Sequence, residues 1–141
     1  MTGKIELEIR VNRPRQHVWG ALVNDIGQWW KGQDGESLNF VLEPRPGGRL
    51  FRDLGHDSGH LWGHVQVIKP PGLLEISGPL MFSNAAVFSH VAFRLVEEGD
   101  ATLVRFAHSY MGEVDPEFAT HANQGWRQFL EEGLKRHAEH S

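Results

Sequence analysis

The chain has no cysteine among its 141 residues, which excludes disulfides, thiolate catalysis and Cys-ligated zinc. It has a single tyrosine against five tryptophans and eight phenylalanines, so its large side chains bring much apolar surface and few phenolic hydroxyls. A basic run is also missing: Arg10, Arg13 and Arg15 are spread among other residues, and the formal net charge is −4. Nucleic acid is therefore not an expected partner. There is no stretch of membrane length and no apolar signal core, since Met1-Thr2-Gly3-Lys4 leads straight into an alternating segment. A soluble, cytoplasmic protein without membrane insertion is the expectation.

What is present is ordinary globular material, with 40% apolar and 23% charged residues, far from the composition of a disordered or fibrous chain. A chain of this length is expected to form one domain over residues 1–141 and to bury roughly 68–70% of the surface its unfolded form exposes.

Ile5, Leu7, Ile9 and Val11 alternate with Lys4, Glu6, Glu8 and Arg10, the pattern of a half-buried strand. Asn12-Arg13-Pro14 breaks it, and Val18, Trp19, Leu22 and Val23 recur at helical spacing in a short helix from about Pro14. A second short helix is expected around Asp25 to Trp30, with the Trp29-Trp30 pair near its end. Leu38-Glu43, Arg49-Asp53, Leu61-Lys69 and Leu73-Ser77 read as strands of an antiparallel meander, separated by Pro44-Arg45-Pro46-Gly47-Gly48, a polar Gly/His/Asp turn and Pro70-Pro71-Gly72. After an irregular Gly78-Asn84 segment, Ala86-Val96 and Thr102-Tyr110 form a long hairpin around Glu97-Glu98-Gly99-Asp100.

Asp115-Pro116-Glu117 supplies an N-cap, a proline at the first helical position and an early acidic residue. A helix to about Glu139 should follow, with Phe118, Ala122, Trp126, Phe129, Leu130 and Leu134 on one stripe. About 25 helical residues span roughly 37 Å, nearly the length of an 11-residue strand at about 3.3 Å per residue. The helix can thus lie along the long strands, and a sheet of six or seven strands must curl around it to cover its own apolar face. Curling leaves room between sheet and helix.

The order of elements, with Val18-Trp19-Gly20-Ala21-Leu22, Trp29-Trp30, Pro46-Gly47-Gly48-Arg49, Gly63-His64-Val65, Pro70-Pro71-Gly72-Leu73, Phe106-Ala107-His108-Ser109 and Gly125-Trp126 with Leu130, resembles the SRPBCC superfamily. Within it the chain is similar to the activator-of-heat-shock-protein-90-ATPase homologue family, over nearly its whole length. The resemblance implies a START/Bet v 1-like helix-grip fold, an α+β architecture in which a curved antiparallel sheet wraps a long C-terminal helix, with two short helices after the first strand. It also implies a scaffold that binds lipids, hormones, polyketides and other apolar molecules, with catalysis in a minority of branches. Two positions depart from the family pattern. No aromatic follows Ser77-Gly78, which bears on pocket shape, and Asp100-Ala101-Thr102 replaces a Gly-Thr pair, a turn variation.

Alternation places Val104, Phe106 and His108 on one face of the second hairpin strand, opposite Val91, Phe93 and Leu95 of the first. Trp126, Phe129 and Leu130 should face them across an apolar chamber, with Trp30, Trp62 and Phe82 at its mouth. Each ring taken singly reads equally as ordinary core; the chamber is a collective reading. His108 needs a hydrogen-bond partner among Val and Phe, either a ligand oxygen or another core group. Gly125 and Gly133 each cost the helix about 1 kcal/mol relative to Ala, which anticipates close approach by a strand or room for a ligand.

His56, His60 and His64 suggest a metal, but His60 and His64 on one extended strand stand about 13 Å apart, too far to share a zinc. No metal and no cofactor are expected. No Gly-x-Ser-x-Gly elbow, phosphate loop or inward carboxylate pair occurs. Binding a small apolar or lipid-like ligand is therefore the leading function. A cyclase- or hydrolase-like enzyme with His108 as acid or base, and a co-chaperone-type interaction module as the family name suggests, are the alternatives. Exposed aromatics on the outer sheet face, Phe88 among them, leave a homodimer open.

Overall fold

The computed structural model describes residues 2–32 and 34–141. Seven antiparallel strands form one sheet in the order β1-β7-β6-β5-β4-β3-β2: β1 (Thr2–Val11), β2 (Phe40–Leu42), β3 (Arg49–Gly55), β4 (Ser58–Lys69), β5 (Leu73–Gly78), β6 (Val87–Glu98) and β7 (Ala101–Gly112). Helices α1 (Arg15–Asn24) and α2 (Ile26–Trp29) follow β1, and a 3-10 turn, Leu80–Phe82, precedes β6. The chain ends in a continuous helical segment over 116–139, built of α3 (Pro116–Gln128), a π turn (Phe129–Lys135) and α4 (Arg136–Glu139). The sheet curves around this helix in the helix-grip arrangement.

Period-two patterning decides the register of β1. Ile5, Leu7, Ile9 and Val11 are buried while Lys4, Glu6, Glu8 and Arg10 face water, and a slip of one residue against β7 would invert both sets. The pairing sets Ile5 opposite His108 and Leu7 opposite Phe106. The β6–β7 hairpin closes with Glu98 opposite Ala101, and Gly99 takes φ +62°, a left-handed conformation that costs glycine nothing. The β3–β4 hairpin turns on His56 and Asp57, both with positive φ, as the twist of a two-residue hairpin demands. His56 thus sits at an exposed turn tip. Among the described residues no group of three or more His, Cys, Asp or Glu comes together in a way that could hold a metal ion.

The α3 N-terminus follows its sequence signature: the Asp115 carboxylate accepts from the Glu117 backbone N–H at 2.9 Å, with Pro116 at the first position. Besides Gly133, the buried helix residues are Ala122, Trp126, Leu130, Leu134 and Ala138, apolar side chains spaced four apart. In a regular α-helix such a row drifts by about 40° per step. The π turn advances less per residue and offsets that drift, so the row stays on the sheet side. Phe118, expected on the inward stripe, is instead 46% exposed at the helix start, one end of the drifting row.

The two helix glycines differ from expectation and from each other. A Cβ on Gly133 would lie 2.8 Å from Trp29 Cε3 and 3.0 Å from the Trp29 carbonyl oxygen, so the element that approaches is α2, not a strand. A Cβ on Gly125 would meet only Phe129 Cε2, at 3.9 Å, and no element packs close there. The Trp29 indole N–H donates to the Ala21 carbonyl at 2.8 Å, which ties α2 to α1 and fixes the ring that meets Gly133.

Candidate ligand site between sheet and helix

Most residues expected to line the chamber are brought together. Trp30 is the hub, with ring centroids 4.3 Å from Phe40, 4.8 Å from Phe129, 5.3 Å from Trp62 and 5.5 Å from Trp126. Trp126 continues the cluster to Phe106 at 4.5 Å and to Phe93 at 6.5 Å, and Leu130 is buried in the same core. These are ordinary separations for touching aromatic rings. The space expected as a chamber is therefore filled by its own side chains at this end. Trp30, at 1% exposure, is its centre rather than part of a mouth, and Trp62 is buried with it.

The other end is built differently. Phe82 stands apart from the Trp30 cluster, with its ring 5.8 Å from His108, 5.5 Å from Tyr110 and 5.4 Å from Phe118. It is carried by the 3-10 turn that Leu80 opens in a left-handed conformation, φ +54°, which costs a bulky residue on the order of 1–2 kcal/mol. Outside Phe82 lies a hollow of about 330 Å³ whose wall includes Met81, Ala85, Val114 and Phe118. Its rim joins the 3-10 turn to the start of α3.

His108 lies behind Phe82 on the inner face of β7 and is wholly buried. The Trp126 indole N–H donates to His108 Nδ1 at 2.8 Å. An indole nitrogen can only donate, so Nδ1 is an acceptor and the ring proton resides on Nε2. Nε2 has no hydrogen-bond partner, although it is shut off from water. Burial holds the His108 pKa down to about 4, so the ring is neutral near pH 7. Ser89 Oγ and Trp30 Nε1 are likewise buried without a partner. Ser89 pairs with Tyr110 one step along from the Val91–His108 pair, so Ser89 and His108 are diagonal neighbours on one face.

Buried polar groups in native proteins are nearly always satisfied, so such a group is informative. Sequence reasoning found His108 and missed Ser89, although the alternation of Val91, Phe93 and Leu95 extends back to it by two residues. It also missed Phe40, whose strand is only three residues long and carries little periodicity.

A second polar constellation sits on the outer face. Ser77 Oγ lies 3.0 Å from His90 Nδ1, and His90 Nε2 lies 2.7 Å from Glu75 Oε1. No sequence motif announces it, because it depends on the β5–β6 register that sets Ser77 opposite His90. It has the residue types of a nucleophile relay. However, β5 is an interior strand whose amides are engaged in ladders with β4 and β6, so it offers no pair of N–H groups to stabilise an oxyanion.

The sequence model of a family described as "Activator of Hsp90 ATPase homolog 1-like protein" matches residues 12–139. Among solved structures, CalU16 from Micromonospora echinospora is 25% identical over 94% of this chain and 71% of its own, with a TM-score of 0.67. A protein from Rhizobium leguminosarum superposes with a TM-score of 0.76 at 19% identity, covering all of this chain and 97% of its own. Aha1 from Colwellia psychrerythraea, solved in solution as a dimer, gives 0.72 at 21% identity over 97% and 96% of the two chains. The latter two likenesses concern the fold alone. No curated relative matches the chain. Among the described residues no helix is long and apolar enough to cross a membrane.

Proposed function

The chain belongs to the activator of Hsp90 ATPase homolog 1-like family, and on that premise we propose that it holds a small apolar ligand between sheet and helix, admitted past Phe82 and Phe118. The observation that carries this reading is the His108 Nε2–H, fully buried and without a partner, directly behind the ring of Phe82. A ligand that displaced Phe82 would reach an apolar wall and a fixed donor together, the usual composition of small-molecule sites.

The acid–base alternative gains no support from this environment. With its pKa near 4, His108 is not an imidazolium able to give up a proton near pH 7. With Nδ1 engaged by Trp126, its other nitrogen already carries the proton a base would have to accept.

Native mass spectrometry of the purified protein, before and after organic extraction, tests the binding reading. A mass increment removed by solvent is the expected result; a bare chain from every preparation, with no added apolar molecule retained, would sink it.

A homodimer is part of the same proposal. Phe88 and Met111 face each other across β6 and β7 on the outer face, 56% and 55% exposed, an apolar pair that a second copy could cover. The fold neighbour solved as a dimer supports the idea. Analytical ultracentrifugation should find a dimer that Phe88→Ser converts to monomer; a monomer at all concentrations would overturn it.

A further inference from the structure

Four unpartnered side-chain polar atoms are buried among the described residues. Arg15 Nε belongs to a guanidinium already paired with Glu97 at 3.3 Å, and the other three share one character that constrains what they can bind. Trp30 Nε1 is an obligate donor. His108 Nε2 is made one by the Trp126 indole, which occupies Nδ1 and so dictates the tautomer. Ser89 adds a hydroxyl that can turn to donate. Among the described residues the buried polar or charged ones are Ser89, Thr102 and His108, and Thr102 is already committed to the Arg13 carbonyl at 2.8 Å. No Lys or Arg is buried among the described residues, so no fixed positive charge is at hand to hold an anion.

Resting on the ligand-binding reading, we infer that the ligand is an uncharged molecule whose apolar body carries a carbonyl-type oxygen, and that His108 Nε2–H is the group that recognises it. A hydrocarbon would leave the donor orphaned, as it is now. A carboxylate would be stripped of water with no cation to replace it. An alcohol used as a donor would face another donor. A ketone, ester or quinone-type oxygen satisfies Nε2–H without bringing a charge into the core. Specificity of this kind is strong because a site built around a buried polar group penalises analogues that lack its partner.

Three probes of one shape separate the possibilities: 2-acetylnaphthalene, 2-ethylnaphthalene and 2-naphthoate, titrated into the full chain by isothermal calorimetry and ¹⁵N NMR of the imidazole and indole nitrogens. The ketone should bind about tenfold tighter than the hydrocarbon, the order expected of one net hydrogen bond, and should shift the His108 Nε2 resonance with Nδ1 left as acceptor. His108→Phe should bring the ketone down to hydrocarbon affinity, and His108→Asn, which keeps an N–H donor, should retain the preference. Ser89→Ala, a milder change, should weaken the ketone less than His108→Phe does. Equal binding of ketone and hydrocarbon would overturn the inference while leaving ligand binding intact. Tightest binding by the naphthoate, with proton uptake at His108, would also overturn it. Failure of all three to bind would count against the binding reading itself.

Discussion

The two ends of the space between sheet and helix are made from similar residues to different effect. Around Trp30 the rings of Phe40, Trp62, Trp126 and Phe129 press on one another, and the indole of Trp29 stacks on Trp30 at 5.5 Å with planes 5° apart. Around His108 fewer rings meet. Two buried polar atoms, His108 Nε2 and Ser89 Oγ, lack partners, Leu80 is strained, and a hollow opens outside Phe82. The first region is what close-packed interiors look like. Trp30 Nε1 is orphaned in the first region too. What sets the second apart is orphaned groups together with backbone strain and an open hollow, a combination that in native proteins collects where something binds. One end of the helix grip thus supplies stability, and the other has given some of it up.

Substitutions sharpen that contrast. Trp126→Ala should have the largest effect, since it removes a buried ring touching Trp30, Phe93 and Phe106 and releases His108 Nδ1; a loss of about 3–5 kcal/mol is expected in urea unfolding. A loss below about 1 kcal/mol would show that this end is not the stabilising one.

His108 has its own pH signature. Its folded pKa of about 4 lies below the ordinary 6.5, so between these values the unfolded chain binds the extra proton. The His108 contribution is therefore fully favourable above about pH 6.5 and is lost as pH falls to about 4, by up to about 3 kcal/mol. His108→Phe should flatten that part of the stability curve. Glu43 titrates in a separate window: Arg49, hydrogen-bonded to it at the surface, holds its pKa at about 2, and its effect should survive the substitution unchanged. An unaltered slope between pH 6.5 and 4 in His108→Phe would remove the argument for a neutral buried ring.

The helix glycines provide a smaller and opposed pair. Gly133→Ala should destabilise by about 1–3 kcal/mol, because its methyl would press on the Trp29 ring and carbonyl. Gly125→Ala, whose methyl would meet only the Phe129 ring at an ordinary 3.9 Å, should stabilise by up to about 1 kcal/mol through helix propensity. Thermal denaturation of the two variants decides this, and a Gly133→Ala that does not destabilise would show that the π turn is not held against α2. The smallest stability effect should come from Phe118→Ser at the exposed rim, within about 0.5 kcal/mol. The same change should loosen retention of any apolar ligand, which the extraction experiment would detect.

Much of this was legible in the chain. The β1 alternation, the β6–β7 hairpin and the Asp115-Pro116 helix start each rest on neighbours within a few residues, and the family resemblance covered the rest of the fold. Much of the inward aromatic set was legible too, although Phe40 and Tyr110 were missed and Phe118, expected inward, is exposed. What periodicity could not supply was whether those rings would leave a chamber or fill it, because that depends on how far each side chain reaches across to its opposite. Nor could it place the π turn, which answers the drift of a four-residue row against a particular sheet, or the approach of Trp29 to Gly133, which lie far apart in the chain.

By itself, the amino-acid order determined the elements, their inward faces and the grip of a sheet on one helix, since periodicity, caps and turns act over short distances. Only the tertiary structure decided which nitrogen of His108 carries a proton. That follows from one contact, the Trp126 indole at 2.8 Å, between residues whose meeting depends on strand register and helix rotation together. The same contact turns a buried histidine into a fixed donor with nothing to donate to.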